Sequence, residues 1–191
     1  MAKLYFRYGA MNSGKTALLL QAAYNYEQQG MKILVAKPSK DTKGDKNIVS
    51  RIGLERKINF IIKPNDNVYE IVKKKKNISC LFVDEAQFLE PIQVDQLMKI
   101  VCKLNIPVIC YGLRTDFQTK GFPGSTRLLE IAHTIEEMKT ICTCGRKAMY
   151  NARFVNGKFT TEGDQVAIDG ENSVTYEPLC PHCYHDKLNE K

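Results

Sequence analysis

Eight residues near the start constrain this chain more than any others. Gly9-Ala10-Met11-Asn12-Ser13-Gly14-Lys15-Thr16 spells G-x-x-x-x-G-K-T, the pattern of a loop that cradles phosphates between a strand and a helix. Its context fits. Lys3 to Tyr8 reads as a short strand, with apolar Leu4 and Phe6 alternating against Lys3, Tyr5 and Arg7, and Ala17 to Gln29 reads as a helix rich in Ala, Leu and Gln. The glycines let backbone N–H groups turn toward phosphate oxygens, and the helix adds the positive end of its dipole. Lys15 then meets the β- and γ-phosphates, and Thr16 offers a hydroxyl to Mg²⁺. The chain is read as binding a nucleoside triphosphate.

Up to about residue 135, apolar strands alternate with helical stretches. Strands are expected at Lys3 to Tyr8, Met31 to Lys37, Ile58 to Ile62, Ile78 to Asp84 and Pro107 to Tyr111. Helices are expected over Ala17 to Gln29, Asn67 to Lys76, Ile92 to Leu104 and Ser125 to His133. Gly30 stops the first helix, and Pro91 fits the first turn of the third, whose buried face is expected to be Ile92, Leu97, Ile100, Val101 and Leu104. This order argues for an α/β fold with a mainly parallel sheet, where ligands bind beyond the carboxyl ends of the strands.

The second chemical signature is Leu81-Phe82-Val83-Asp84-Glu85, an apolar strand running into two carboxylates. Side chains alternate along a strand, so one acid can hold Mg²⁺ while the next faces the reacting group. Asp84 is the metal-side acid, and Glu85 is the general base for a nucleophile attacking the γ-phosphate. These two motifs leave the acceptor open. Water would make the protein an ATPase, and a substrate hydroxyl would make it a kinase. Asp84-Glu85-Ala86-Gln87 resembles a helicase box, but a helicase needs a second motor domain, which 191 residues leave no room for. The net charge of +7 is compatible with nucleic acid, yet the densest cluster, Lys73 to Lys76, has no interleaved aromatics and is read as complementing a helix terminus. No apolar run approaches the ~20 residues that span a bilayer, and none reads as an export signal. The expectations are a cytoplasmic protein with no membrane and no nucleic-acid partner.

After residue 140 the composition turns to Cys, Gly, Thr and short β-like pieces. Asn156-Gly157 between Ala152–Val155 and Lys158–Thr161 signals a hairpin, since both turn positions need positive φ. Cys142 and Cys144 stand at one end of this module, Cys180 and Cys183 at the other. Paired thiolates from two turns can complete a tetrahedral zinc site and staple a segment too small for its own core. The first pair is C-x-C, tighter than C-x-x-C, so Cys142 needs a shifted backbone, and His182 and His185 stand as substitute ligands. Disulfides are the alternative. Cys80, Cys102 and Cys110 lie in apolar runs and are expected in the core.

Between the two parts lies Gly112-Leu113-Arg114-Thr115-Asp116-Phe117-Gln118-Thr119-Lys120-Gly121-Phe122-Pro123-Gly124. Its two aromatics, set among polar and glycine positions, suit either stacking of a planar ring or anchoring of a long loop. With this stretch the chain resembles the type II thymidine kinases, the small zinc-containing class. The likeness runs through Gly9 to Thr16, Asp41-Thr42, Val83-Asp84-Glu85-Ala86-Gln87-Phe88, Gly112 to Gly124 and the cysteine-framed module with Tyr176.

The resemblance implies a RecA-like phosphate-loop domain over residues 1–139 and a small β-rich zinc-binding lasso domain over 140–191. It implies transfer of the ATP γ-phosphate to the 5′-hydroxyl of thymidine, a homotetramer, and feedback inhibition by thymidine triphosphate. Glu85 becomes the base for the 5′-hydroxyl. Gly9, Ala10, Met11, Asn12, Ser13, Gly14, Lys15, Thr16, Asp84 and Gln87 serve ATP, with Thr16 and Asp84 on magnesium. Met11, Phe88, Leu113, Phe117, Phe122, Asn151 and Tyr176 match positions around the nucleoside. Ala167, Ile168 and Asp169, in Gln165–Gly170, match the segment whose backbone bonds the base. Cys142, Cys144, Cys180 and Cys183 match the zinc ligands. The chain departs from the family at the C-x-C pair, at Asp169 in place of a glycine, at Lys43 in place of an arginine and at Asn151 in place of a threonine. A nucleic-acid-stimulated ATPase with a zinc ribbon is the competing reading.

Overall fold

The computed structural model describes residues 1–40, 46–165 and 174–190. Five strands with runs of apolar residues on both faces form most of one sheet: β1 (Leu4–Tyr8), β2 (Ile33–Pro38), β5 (Phe60–Ile62), β6 (Cys80–Val83) and β7 (Val108–Gly112). A sixth, β8 (Thr134–Glu137), completes the order β5-β2-β6-β7-β1-β8, and every pairing in it is parallel. The double-sided burial follows from strand alternation. Leu34, Leu81, Val83, Val108 and Cys110 face one cluster, while Val35, Cys80, Phe82, Ile109 and Tyr111 face the other.

Helix α1 (Lys15–Gln28) covers the second face through Leu19, Leu20 and Ala23. Helices α2 (Val68–Lys73), α3 (Pro91–Leu104) and α4 (Pro123–Ile131) are built on the other. Helix α3 starts as Pro91 directs, with Glu90 and Gln93 closing a reciprocal cap. Its buried face is Val94, Leu97, Ile100 and Val101, not Ile92, which is 61% exposed. Ile92 sits in the first turn, on the side that points away from the sheet.

Two further expectations need correction. Helix α2 stops at Lys73, three residues short of Lys76. Cys102 is exposed, because the helical period turns it outward beside buried Val101. A small hairpin of β3 (Asn47–Val49) and β4 (Glu55–Lys57), not expected from the sequence, lays Ile48 on the α1 side. Strand β8 was missed for a related reason. Thr134-Ile135-Glu136-Glu137 carries little apolar content, and it pairs as a sheet edge where one side meets water.

Past residue 140 a separate antiparallel sheet, in the order β10-β9-β11, is made of β9 (Tyr150–Val155), β10 (Lys158–Thr160) and β11 (Val174–Leu179). The β9–β10 turn is Asn156-Gly157, at φ 50° and 76°, the positive values that a two-residue hairpin demands. Helix α5 (Pro181–Asn189) packs on this sheet, and Ala148, Ala152, Phe154, Leu179 and Tyr184 form its core with Cys142 and Cys180. No helix among the described residues is long and apolar enough to cross a membrane.

Candidate active site

Three adjacent strands deliver the chemistry. In the order β6-β7-β1 their carboxyl ends lead into Asp84-Glu85, into the Gly112–Gly124 loop and into the loop of Gly9–Thr16. Side chains from distant parts of the sequence therefore converge at one edge of the parallel sheet.

The phosphate loop is built around two left-handed residues, Asn12 at φ 64° and Gly14 at φ 76°. Gly9 is a glycine for another reason. A Cβ there would stand 2.4 Å from the Met138 carbonyl oxygen and 2.5 Å from Ser13 Oγ, so only hydrogen fits. Lys15 is buried and folds back over the loop, with Nζ donating to the Gly9 and Ala10 carbonyls at 3.2 and 2.8 Å and to Ser13 Oγ at 3.2 Å. Burial lowers its pKa, while the Glu85 and Asp84 charges oppose that shift. A loop that turns backbone N–H groups inward, with a buried ammonium beside it, is suited to an anion.

Thr16 Oγ1 donates to Asp84 Oδ2 at 3.1 Å. Burial and the neighbouring Glu85 push the Asp84 carboxyl up to about 7, so a cation placed between the Thr16 hydroxyl and this acid would relieve the cost of its charge. Hydroxyl and carboxylate oxygens form a donor set suited to magnesium.

Strand alternation does not separate the two acids, contrary to the sequence expectation. Strand β6 ends at Val83, and Glu85 stands in the left-handed region at φ 49°, leading into a tight turn over Ala86–Phe88. That turn, more than the pleat, aims the Glu85 carboxylate. Gln87 holds it: its Nε2 donates to Glu85 Oε2 at 2.5 Å, and its Oε1 accepts from the Leu113 amide at 3.1 Å. Gln87 is 1% exposed, and its amide is engaged by the acid and by the β7 loop. Gly112 and Gly124 make this packing possible. A Cβ on Gly112 would meet Gln87 Oε1 at 2.8 Å, and one on Gly124 would meet the Ala86 and Leu89 carbonyl oxygens at 2.6 Å.

Phe88 packs edge-on against Phe122, centroids 5.7 Å apart. Phe117 and Phe122 are both buried and Leu113 is half-buried. The loop that bears them is tied to the small sheet. Tyr184 Oη donates to the Phe117 carbonyl at 2.5 Å, Gln118 Nε2 to the Thr161 carbonyl at 2.7 Å and Gln165 Nε2 to Asp116 Oδ2 at 2.9 Å. Asn151 reaches the phosphate loop itself, its Oδ1 accepting from the Met11 amide at 2.7 Å. Met11, half-buried, thus stands at the junction of the two sheets. Ala167, Ile168 and Asp169 lie outside the described residues, as do Asp41, Thr42 and Lys43.

Sequence reasoning named Asp116, Arg153 and Gln165 only as members of their loops and strand and gave none of them a role of its own. The available signal was period two: Arg153 shares a strand face with Asn151 and lies between apolar Ala152 and Phe154, an unusual place for a guanidinium.

Cys142, Cys144, Cys180 and Cys183 place their four sulfurs within 4.8 Å of one another, and no histidine joins this group among the described residues. Both His182 and His185 are exposed. The tight C-x-C pair is accommodated by a turn in which the Gly145 amide donates to the Cys142 carbonyl and the Cys142 amide to the Arg146 carbonyl, both at 2.8 Å, with Gly145 left-handed at φ 81°. Zn–S bonds of about 2.3 Å give a tetrahedral edge of about 3.8 Å, and Cys144 Sγ and Cys180 Sγ are 3.6 Å apart. Burial raises the Cys142 thiol, but backbone hydrogen bonds at Cys144 and Cys180 bring it down to about 6; the Cys183 amide likewise lowers Cys180. All four thiols are free, and the donor set fits zinc.

Comparison with known proteins identifies the family. The family model described as thymidine kinase matches residues 2–184. A thymidine kinase of Mesorhizobium japonicum is 46% identical over 193 aligned residues, covering 98% of this chain and 93% of that protein. The thymidine kinase of Enterobacteria phage T4 is 47% identical over 184, covering 94% of each. Among solved structures, a Bacteroides Pif1 bound to single-stranded DNA aligns with a TM-score of 0.39 and 17% identity over 71% of this chain and 38% of that one, too distant to bear on function. The chain belongs to the thymidine kinase family.

Proposed function

We propose that this protein transfers the γ-phosphate of ATP to the 5′-hydroxyl of thymidine, giving thymidine monophosphate. Residues 1–139 form the nucleotide-binding domain, and residues 140–191 form a zinc-binding lasso domain over the nucleoside. One arrangement carries the reading. Glu85 lies within electrostatic reach of Lys15 in the phosphate loop and opens the turn that carries Phe88 onto Phe122, with its carboxylate held by a glutamine that also grips the Leu113 amide.

Lys15 exchanges its bonds to the Gly9 and Ala10 carbonyls for phosphate oxygens, and the loop amides take the rest of the charge. Magnesium held by Thr16 and Asp84 would supply charge neutralisation between the phosphates. Met11, Phe88, Leu113, Phe117, Phe122, Asn151 and Tyr176 enclose the nucleoside and, with the backbone of Ala167, Ile168 and Asp169, position its 5′-hydroxyl. Glu85 accepts the hydroxyl proton as the oxygen attacks phosphorus, and the γ-phosphoryl passes in line to the new ester. Apolar walls on the acceptor side keep water from competing. The same reading makes the enzyme a cytoplasmic homotetramer inhibited by thymidine triphosphate.

Incubation with ATP, Mg²⁺ and thymidine, followed by chromatography of the nucleotides, tests it. The expected product is thymidine monophosphate in step with ADP. ATP turnover that appears only when single-stranded DNA is added, with no nucleoside monophosphate formed, would overturn it.

A further inference from the structure

Arg153 is a charged residue in a place that should reject one. It lies mid-strand in β9 and is 3% exposed, and no carboxylate among the described residues is within ion-pair range of it. A buried guanidinium is tolerated only where its donors and its face are used. Its face is taken by Phe117, with Cζ 3.5 Å from the ring centroid, and the Tyr176 ring lies at 5.4 Å. Its donors go to Tyr176 Oη, 2.9 Å from Nε, and to the Gln165 carbonyl at 3.3 Å. The strand register puts Tyr176 directly opposite Arg153.

These partners belong to two different parts of the molecule. Phe117 comes from the loop after β7, and Tyr176 and Gln165 from the small sheet and its approach. Gln165 returns to the first part through Asp116 Oδ2, and that carboxylate also accepts from the Gln118 and Lys120 amides, both at 2.9 Å. The result is a closed circuit: Arg153, Phe117, the 116–120 turn, Gln165 and back to Arg153. None of these hydrogen bonds or ring contacts goes to Lys15, Thr16 or Asp84.

We propose that Arg153 is the positioning residue of the acceptor half of the site. By stacking on Phe117 while gripping Tyr176 and Gln165, it sets the spacing of the aromatic walls that receive the nucleoside. It acts through Phe117 and Tyr176, and none of its hydrogen bonds or ring contacts goes to the phosphate loop. The inference rests on the thymidine kinase reading, since those two side chains matter only if they enclose the acceptor. Lysine keeps the charge near the Phe117 face but lacks the planar fork that reaches both Tyr176 and Gln165.

Steady-state kinetics of the full-length zinc-loaded protein, with each substrate varied in turn, test the role in Arg153→Met, Arg153→Lys and Tyr176→Phe. Arg153→Met raises the KM for thymidine by about tenfold or more, the scale of a lost hydrogen bond to a charged group. The KM for ATP stays within about twofold, because the bonds of Arg153 go to Tyr176, Gln165 and Phe117 and not to the phosphate loop. Arg153→Lys recovers part of the thymidine KM, and Tyr176→Phe produces a smaller rise in the same direction. A folded Arg153→Met, judged by unchanged zinc content and circular dichroism, whose thymidine KM equals that of wild type overturns the proposal. So does a parallel rise in both KM values across the three variants. If Arg153→Met does not fold, Arg153→Lys and Tyr176→Phe decide by the same split. Absence of thymidine monophosphate with the wild-type protein is a different failure, that of the kinase reading itself.

Discussion

At the residue scale, function depends on side chains whose bonding capacity is used up by one another. Gln87 spends its amide on Glu85 and its carbonyl on the Leu113 N–H, so it ties the Glu85 carboxylate to the loop after β7. Gln87→Ala leaves the half-buried Leu113 N–H without its partner, at a cost of about 1 kcal/mol, and releases the Glu85 carboxylate. The expected result is a fall in kcat of roughly 10- to 100-fold, out of proportion to the small change in ATP affinity, and steady-state kinetics beside an ATP titration check it. Lys15→Ala has the opposite signature. It removes the ammonium from the anion nest, and direct ATP titration should show affinity lower by roughly tenfold or more. The placing of Lys15 and Thr16 at the loop-to-helix turn was legible in the sequence because the G-x-x-x-x-G-K-T spacing sets a left-handed glycine directly before a helix. Gln87 was legible only as a member of a motif, since nothing in Asp84-Glu85-Ala86-Gln87 says that the fourth residue turns back on the second.

At the scale of elements, the parallel sheet and its helices could be read from apolar runs and their punctuation. Pro91, Gly30 and Asn156-Gly157 each mark a boundary that the structure keeps. The polar edge strand β8 and the β3–β4 hairpin could not be read, because short strands with one wet side carry little hydrophobic signal. The aim of Glu85 was also misjudged, since it depends on a left-handed backbone at a non-glycine residue. The joint between α4 and the Ala86–Phe88 turn yields a sharp test. In Gly124→Ala the new methyl meets the carbonyl oxygens of Ala86 and Leu89 at 2.6 Å, backbone atoms that cannot swing away. Overpacking of this kind costs about 1–3 kcal/mol, and a lowered midpoint in chemical denaturation, with an unchanged slope, is the expected observation.

For the whole molecule, the small sheet and its helix close on the loops of the first sheet, Asn151 on the phosphate loop and Gln165 and Tyr184 on Asp116 and Phe117 after β7. The four-cysteine cluster holds the strand and helix from which those contacts come. Cys183→Ser therefore costs at least about 3 kcal/mol, a fall in Tm of roughly 6–12 °C, and scanning calorimetry with metal analysis reads both. Thymidine-dependent turnover is lost with the zinc, while ATP still binds the first sheet. The account stands most directly on the base. Glu85→Gln keeps the size and the contact with Gln87 but cannot take a proton. Measured as the single-turnover rate of thymidine monophosphate formation with ATP saturating, the variant should fall by about 10²- to 10⁴-fold at unchanged ATP affinity. An undiminished rate in Glu85→Gln would contradict the account.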